Sequence, residues 1–386
     1  MLNDKLVREE FGFLGDRIHL YCCAIGVPPV RVQNACKDFY SHYIELVYGK
    51  SDGYGPFRDK TREKAARLIG CKPGEIAFCG STADGLCVLA NGFPLGPGDN
   101  IVMCDLENTS GMYPWVNAAK NRGFELRIVK TYGGQIHPDE LFARADENTK
   151  IICLSAVQYG TGFFADLKTI GRTCRARGIV FAVDSIQALG RMVIDVEDMY
   201  IDYLSNGGFK GLGAGFGVGL IYCSERIIGR ITQAYAGACS VVDSVMAPDV
   251  FSADPQLLFH SGAARLETGS NNTIGIVLLD AALDVILDLG PAEIEAHVLA
   301  LEDRLRRGVE GTKLQFSGAI EPGNRSGLVV AYYPEALYER TAAIFERENM
   351  ILTHRPGYIR LAMHCYNTAE QVDRVAQAFR EMSEMM

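Results

Sequence analysis

The chain has 386 residues, a formal net charge of −9 and 48% hydrophobic residues. This length and hydrophobicity allow a core large enough for two domains. No run of five basic residues occurs, which argues against nucleic acid as a partner because phosphate backbones bind cationic surfaces. The charged first ten residues, and the lack of an apolar run of about 18 residues, predict a cytoplasmic protein with neither a secretory signal nor a membrane span.

The cysteine pattern does not suggest a metal site. Twelve cysteines are present, but Cys22 and Cys23 are adjacent, a spacing that suits neither a zinc knuckle nor a redox pair. No other spacing pairs cysteines with histidines at ligand distances, and several cysteines lie in apolar runs, as Cys153 does. We therefore predict mostly buried thiols and no bound metal.

Short apolar runs alternate with helical patterns from about residue 75 to residue 225. This alternation predicts a mostly parallel sheet covered by helices on both faces, which is an α/β fold. The predicted strands are Glu75–Cys79, Asn100–Cys104, Phe124–Val129, Lys150–Ser155, Ile179–Asp184, Tyr203–Ser205 and Phe216–Cys223.

The C-terminal third has a different pattern. Two amphipathic stretches, Asn272–Leu289 and Ala292–Val309, precede two strand-like runs, Gly327–Tyr332 and Tyr358–Met363, and each of these runs leads into a helix. We predict a smaller α+β domain here. In this division, residues 15–265 form the large domain, and residues 1–14 with 266–386 form the small one.

Ligands of open α/β sheets bind beyond the carboxyl ends of the strands, so the residues that follow each run are candidates for a site. Asp184 closes a buried strand, and Gln187 follows it three residues later. An alternative role for Asp184 is to cap a helix. Ser81 and Thr82 lie between a strand and a helix, where hydroxyls and amides can bind an anion or serve as an ordinary cap.

Lys210 is the single lysine of a glycine-rich run, residues 206–219. Glycines let the backbone approach a ligand closely, and a desolvated lysine becomes a nucleophile because its pKa falls. Two alternatives are an exposed lysine in a flexible turn and a dinucleotide-binding loop. The second is weak, since the run precedes a strand, whereas a dinucleotide loop follows one.

Two arginines follow the sheet region. Arg265 begins the run Arg265–Asn272, and Arg360 lies on a late predicted strand. A guanidinium binds a carboxylate through two parallel hydrogen bonds, although arginines on strands are more often solvated or salt-bridged.

In order and spacing, these residues together resemble the class V aminotransferase family, which contains cysteine desulfurases, selenocysteine lyases, kynureninases and isopenicillin-epimerase-like proteins. The resemblance extends from about Ile18 to the final helix. It is carried by Gly98–Val102, Pro114–Trp115, Gln158–Gly162 with Asp166–Leu167, the separation of Asp184 from Lys210, the run Arg265–Asn272, and Tyr366–Thr368.

The resemblance implies pyridoxal 5′-phosphate (PLP) as the cofactor and fold type I of PLP-dependent enzymes. Lys210 would hold the cofactor as a Schiff base, and Asp184 would pair with its pyridine nitrogen, which makes the ring an electron sink. The remaining implied contacts are Gln187 with the phenolic oxygen, Ser81 and Thr82 with the phosphate, and Ser270 with the phosphate of the other subunit. A homodimer with shared active sites is implied.

For the substrate, the resemblance implies that Arg360 binds the α-carboxylate of an amino acid. His354 lies in the segment that faces the substrate in this family, although a structural histidine is an alternative. Tyr159 is a candidate wall of the pocket, and packing is the alternative there too.

The sequence also departs from the desulfurase pattern. Residues 353–360 contain no cysteine, so the nucleophilic cysteine that desulfurases carry on a loop before the carboxylate arginine has no counterpart there. Asn108 stands where desulfurases have a histidine that stacks on the cofactor, and Phe209 precedes the lysine in place of a frequent histidine.

Several activities are compatible with these residues. The leading hypothesis is a lyase that removes a β-substituent, with sulfur as one candidate, from a small amino acid. The alternatives are a class V aminotransferase, an amino-acid epimerase, and a cofactor-binding protein with little catalysis.

Overall fold

The structure is a computed structural model that describes residues 2–44, 55–242, 258–269, 271–317 and 321–386. Its α-helices are α1 (Asp4–Phe11), α2 (Val30–Ser41), α3 (Gly55–Ile69), α4 (Thr82–Gly92), α5 (Thr109–Arg122), α6 (Pro138–Phe142), α7 (Leu167–Arg177), α8 (Glu225–Ile228), α9 (Thr273–Leu289), α10 (Pro291–Gly308), α11 (Tyr338–Arg347) and α12 (Ala369–Glu384). The strands are β1 (Ile18–His19), β2 (Ile76–Cys79), β3 (Asn100–Cys104), β4 (Glu125–Val129), β5 (Thr149–Ser155), β6 (Val180–Asp184), β7 (Tyr203–Gly207), β8 (Gly219–Cys223), β9 (Gln315–Phe316), β10 (Leu328–Tyr332), β11 (Met350–Ile351), β12 (Thr353–Arg355) and β13 (Tyr358–Ala362).

A seven-stranded sheet forms the centre of the chain, in the order β2-β8-β7-β6-β5-β3-β4. The neighbours from β7 to β4 pair in parallel, and β8 runs antiparallel to both β7 and β2. All seven predicted strands are therefore present, and the prediction of a mostly parallel α/β sheet is confirmed.

Both faces of this sheet are buried, because side chains alternate across a strand. In β6, Val180 and Ala182 join the core under α4 and α5, while Phe181 and Val183 join the core on the opposite face. Each large apolar side chain that is buried in this way contributes about 1.5–3 kcal/mol. Near-continuous apolar strands are the pattern of a sheet covered on two sides.

The C-terminal part forms a four-stranded antiparallel sheet in the order β12-β13-β10-β9. This agrees with the predicted α+β character. A separate two-stranded sheet pairs β1 with β11 in parallel, so residues 18–19 join the C-terminal part of the chain. The boundaries at residues 15 and 265 stay predictions. Within the described ranges, the chain has no helix that combines the length and apolarity needed to span a membrane.

The topology brings several chain segments to one edge of the large sheet. Ser155 and Asp184 end the parallel neighbours β5 and β6, and Gly207 ends β7. Because β8 is antiparallel to both β2 and β7, those two strands run in the same direction. The end of β2, and with it the start of α4, therefore lies at the same edge. This edge is where ligands bind in such sheets.

Candidate active site

A cavity opens at this carboxyl edge, with about 460 Å³ of space not filled by atoms. Seven of the residues predicted for the site line it, drawn from five separate parts of the chain. The lining consists of Ser81, Thr82, Ala83, Asn108, Ser110, Ser155, Val157, Tyr159, Asp184, Ile186, Gln187, Phe209 and Lys210. The structure therefore brings together most of the residues that the sequence singled out.

The N-terminus of α4 forms one end of the cavity. Ser81 is the N-cap, and its hydroxyl accepts a hydrogen bond from the Asp84 N–H at 3.2 Å. The Thr82 hydroxyl accepts from the Gly207 N–H at 2.9 Å, so its own proton is available to donate. Capping and anion binding are compatible here, because both hydroxyls keep a donor beside the positive end of the helix dipole.

Asp184 is buried on the cavity wall, with 2% of its surface exposed. Its Oδ1 accepts from the Ile186 N–H at 2.9 Å, whereas its Oδ2 has no hydrogen-bond partner among the described residues. Burial, with a smaller contribution from nearby Glu107, raises the pKa of Asp184 to about 7, while the hydrogen bond from the Ile186 N–H and the charge of Lys210 oppose the rise. Turns follow this residue, so its alternative role as a helix cap is wrong. Buried carboxylate oxygens normally accept a hydrogen bond, so a ligand that carries a donor would complete this one.

Lys210 lies in a tight turn against the N-terminal segment. The Gly26 N–H donates to the Phe209 carbonyl at 2.8 Å, and a Cβ on Gly26 would lie 1.9 Å from the Lys210 carbonyl oxygen. Only glycine therefore fits at position 26. Burial lowers the pKa of Lys210, Asp184 opposes the fall, and Arg360 adds to it. A lowered pKa increases the fraction of neutral, nucleophilic amine.

Gln187 contributes an amide to the cavity wall. Its Nε2 donates to the Cys23 carbonyl at 2.8 Å, while its Oε1 is buried and has no partner in the part of the chain that the structure describes. The N-terminal segment around Cys23 is thereby tied to the residues after β6. The contact of Gln187 with a phenolic oxygen stays a prediction.

Asn108 stands at the start of α5. As the N-cap of that helix, it accepts from the Ser110 N–H at 3.0 Å, and the same residue lines the cavity. Phe209 also lines the cavity and stacks on Phe216, with ring centroids 4.8 Å apart. The cavity therefore has an amide and an aromatic ring at positions where the desulfurase pattern has histidines.

Arg360 and Tyr159 lie together beside the cavity. An Nη1 proton of Arg360 is donated to the Tyr159 carbonyl at 3.3 Å, and the guanidinium carbon lies 5.7 Å from the centre of the Tyr159 ring. The Arg360 Nε is buried, and no residue within the described ranges is its hydrogen-bond partner. The guanidinium therefore keeps donors for an anion, as carboxylate binding requires.

His354 is not brought to the cavity. In the β12–β13 register Thr353 faces Arg360 and His354 faces Ile359, so alternation directs His354 to the opposite side of the sheet from Arg360. Its Nε2 lies 2.7 Å from the Tyr333 hydroxyl and 2.8 Å from the Thr341 hydroxyl, and Tyr338 stacks on its ring. These contacts are those of a structural histidine. Ser270 lies outside the described residues.

One acidic residue of the site region was missed from the sequence. Glu107 is 9% exposed, and it accepts hydrogen bonds from Ser155 and Gln158. Its charge acts on Asp184. The signal that was available is an acid close behind the buried run Asn100–Cys104, at the carboxyl edge of the sheet.

The cavity fits a molecule with three features. It offers an unpartnered carboxylate oxygen, an amine of lowered pKa, and a helix N-terminus with two hydroxyls. A cationic ring N–H, a carbonyl carbon and a phosphate match these groups, and pyridoxal phosphate carries all three. Metal chemistry lacks comparable support: the described residues contain no group of three or more His, Cys, Asp or Glu side chains arranged to hold a metal ion.

Comparison with known proteins agrees with this fit. The family model described as Aminotransferase class-V matches residues 24–332. The chain belongs to this family. Pyridoxal phosphate is accordingly its cofactor, and the chain is a PLP-dependent lyase or transferase.

Two relatives match nearly the whole length of the class V chain. A probable cysteine desulfurase of Methanothermobacter thermautotrophicus is 25% identical over 407 residues, covering 98% of each chain. An uncharacterized aminotransferase of Bacillus subtilis, YcbU, is 25% identical and covers 95% of this chain and 94% of its own. The apo structure of a cysteine desulfurase from Thermococcus onnurineus has a TM-score of 0.88 at 22% identity, covering 100% of this chain and 99% of its own. This similarity confirms the predicted fold type I.

Proposed function

We propose that this class V chain is a PLP-dependent lyase that cleaves the bond from Cβ to a sulfur substituent of a small α-amino acid. The observation that supports the cofactor site best is the buried, unpartnered Oδ2 of Asp184 in the same cavity as Lys210. The preference for a lyase rests on relatives named as desulfurases and on a solved complex of the cystine C–S lyase C-DES with its product cysteine persulfide.

Each group of the cavity has one role in this proposal. Asp184 pairs with the pyridine nitrogen, Gln187 contacts the phenolic oxygen, and Ser81 and Thr82 bind the phosphate at the N-terminus of α4. Asn108 covers one face of the ring. When bound, the cofactor supplies an electron sink that stabilises negative charge at the substrate Cα.

The substrate is held by its carboxylate. The Arg360 guanidinium binds it beside Tyr159, with the buried Nε as one donor. Lys210 holds the cofactor through its Nζ, and the same Nζ, once free, accepts the proton of Cα. The lowered pKa of Lys210 suits that step because it leaves more of the amine neutral near pH 7.

The sulfur leaves without a cysteine from the segment before Arg360. Residues 353–360 contain no cysteine, and β12 and β13 are joined by a two-residue turn at Pro356 and Gly357. The reaction class is therefore a β-elimination in which Cα loses a proton and the Cβ–S bond breaks. The sulfur leaves as a thiol or sulfide with the electrons of the Cβ–S bond, and the remaining enamine takes up water to give a keto acid and ammonia.

The assembly forms a further part of this proposal. The chain acts as a cytoplasmic homodimer in which Ser270 binds the cofactor phosphate of the other subunit, and the small domain consists of residues 1–14 and 266–386. The support is the resemblance of the run Arg265–Asn272 to the family pattern. Light scattering of the purified protein tests the dimer.

The test of the activity begins with the absorbance spectrum of purified protein and of Lys210→Ala, before and after borohydride. A panel of L- and D-amino acids, including cysteine and cystine, is then assayed for sulfide, pyruvate, alanine and ammonia. Sulfur release that is lost in Lys210→Ala supports the proposal. Keto-acid exchange without sulfur release would replace it with a transaminase, and solvent deuterium at Cα without net product would replace it with an epimerase.

A further inference from the structure

Glu107 is a buried carboxylate whose described partners are all neutral. Its Oε1 accepts from the Ser155 N–H at 2.9 Å, the Gln158 Nε2 at 2.9 Å and the Cys104 thiol at 3.3 Å. Its Oε2 accepts from the Ser155 hydroxyl at 2.6 Å. Glu107 accepts each of these bonds, from a backbone N–H, an amide, a thiol and a hydroxyl, and no lysine or arginine is among its partners within the described part of the chain.

This second carboxylate lies close to Asp184. A Cβ on Gly111 would be 3.3 Å from Oε2 of Glu107 and 3.7 Å from Oδ2 of Asp184. The Oδ2 is the oxygen without a partner. Two buried carboxyl groups therefore share one small region, and ionising both of them is costly in a medium of low dielectric constant unless a cation arrives.

Glu107 also anchors two parts of the cavity wall. The residue that follows it, Asn108, lines the cavity, as does Ser155, which donates to Glu107 from both its backbone N–H and its hydroxyl. Through Gln158 it also holds the turn that carries Tyr159. Glu107 therefore lies near Asp184 and is also connected, through Gln158 and the turn with Tyr159, to Arg360.

We propose that Glu107 is a positioning residue that keeps the cofactor's ring nitrogen protonated, acting as a second buried anion behind Asp184. This inference rests on the proposed pairing of Asp184 with that nitrogen. Asp184 alone places one negative charge beside the ring N–H. Glu107 adds a second negative charge behind it, which increases the electrostatic stabilisation of the protonated ring without contact with the ring. The binding energy gained from a cationic ring then compensates for the repulsion between the two carboxylates.

The experiment compares two cofactors in the full-length chain: pyridoxal phosphate and its 1-deaza analogue, which has carbon in place of the ring nitrogen. Glu107→Gln keeps the size of the side chain and removes its charge. We expect this variant to bind pyridoxal phosphate at least roughly tenfold more weakly than wild type, because a buried charge at this range acts strongly. Its affinity for the deaza analogue should change less than twofold.

Two variants serve as controls. Glu107→Asp keeps the charge and should restore the preference for pyridoxal phosphate over the analogue. Glu302→Gln removes another wholly buried carboxylate, one that accepts from the Gly327 N–H and pairs with Arg306 away from the cavity. It should leave the preference at the wild-type ratio even if it lowers stability.

The outcomes separate this inference from the proposed function. If Glu107→Gln lowers the affinity for both cofactors equally, or lowers neither affinity, the electrostatic role of Glu107 is overturned. A wild type that binds neither cofactor would remove the proposed site itself. If Glu107→Gln is unstable because its amide faces the Ser155 hydroxyl, the double variant Glu107→Gln/Ser155→Ala is compared with Ser155→Ala, and the same ratio decides.

Discussion

Two buried aspartates at opposite edges of the large sheet show how differently one side chain can be used. Asp202 precedes β7 at the amino edge and is wholly buried, yet it accepts from the Phe181 N–H at 2.9 Å and forms ion pairs with Arg175 and Arg226. Asp184 ends β6 at the carboxyl edge, and its Oδ2 has no partner among the residues that the structure describes. The first carboxylate is satisfied within the protein, and the second is not.

The difference separates stability from function. A satisfied buried charge holds elements together, since loss of one partner leaves the others unpaired. An unsatisfied one costs stability and persists where a ligand completes it. The amino edge therefore stabilises the fold, whereas the carboxyl edge is arranged for the cofactor.

The largest expected effect is on catalysis at the carboxyl edge. Lys210→Ala should lower turnover of any substrate by about 10³-fold or more, because it removes both the covalent attachment and the base. The assay is product release by the purified variant, with circular dichroism as a check on folding. Turnover within tenfold of wild type would remove Lys210 from the mechanism.

The two aspartates should respond in opposite ways to the same substitution. Asp202→Asn should lower the free energy of unfolding by roughly 2–3 kcal/mol, below the usual cost for a buried pair because both arginines are partly exposed. Asp184→Asn should raise it in the cofactor-free protein at pH 7, by roughly 1–3 kcal/mol, while weakening cofactor binding. Urea unfolding of both variants measures the two changes in the free energy of unfolding. Similar decreases in both variants would contradict the different roles assigned to the two aspartates.

Arg360 and His354 allow a comparison across the two faces of one small sheet. Arg360→Gln should raise KM by roughly 10- to 100-fold, since a charge-assisted bond to the substrate carboxylate is lost. His354→Gln should act mainly on stability, because its contacts are with Tyr333 and Thr341. Steady-state kinetics separate the two, and a larger KM effect from His354→Gln would return that histidine to the substrate site.

The last prediction is a pH dependence of stability. In the cofactor-free protein Asp184 has a pKa of about 7, raised by burial from 3.8. Between pH 3.8 and about 7, Asp184 has released its proton in the unfolded chain but still holds it in the folded chain. The free energy of unfolding therefore falls, as pH rises, by up to about 1.4 kcal/mol per pH unit. Asp184→Asn should lack this contribution.

The difference between wild type and Asp184→Asn isolates that contribution. His364 contributes in the opposite direction, because burial lowers its pKa from 6.5 to about 3 and its stabilisation is lost as pH falls. Both proteins keep His364, so its contribution cancels in the difference. A difference that does not change between pH 4 and 7 would contradict the raised pKa of Asp184.

Parts of the site could be predicted because they follow local chemistry. Asp184 closes a continuous apolar run, and Lys210 lies in a glycine-rich run that precedes a strand. Both features are visible in a few consecutive residues. Glu107 and His354 could not be assigned in this way, because a carboxylate or an imidazole becomes functional or structural only through partners far along the chain, such as Ser155 for Glu107 and Tyr333 for His354.

The sequence by itself determined the strands of the large sheet, their mostly parallel direction and the edge at which the site lies. Side-chain periodicity and turn residues act over short distances, so they can be recognised in a few consecutive residues. Only the tertiary structure decided which polar atoms are left without partners and which side of the small sheet His354 occupies. Hydrogen bonding and burial depend on contacts between distant segments, and a one-residue change of register exchanges the two faces of a strand.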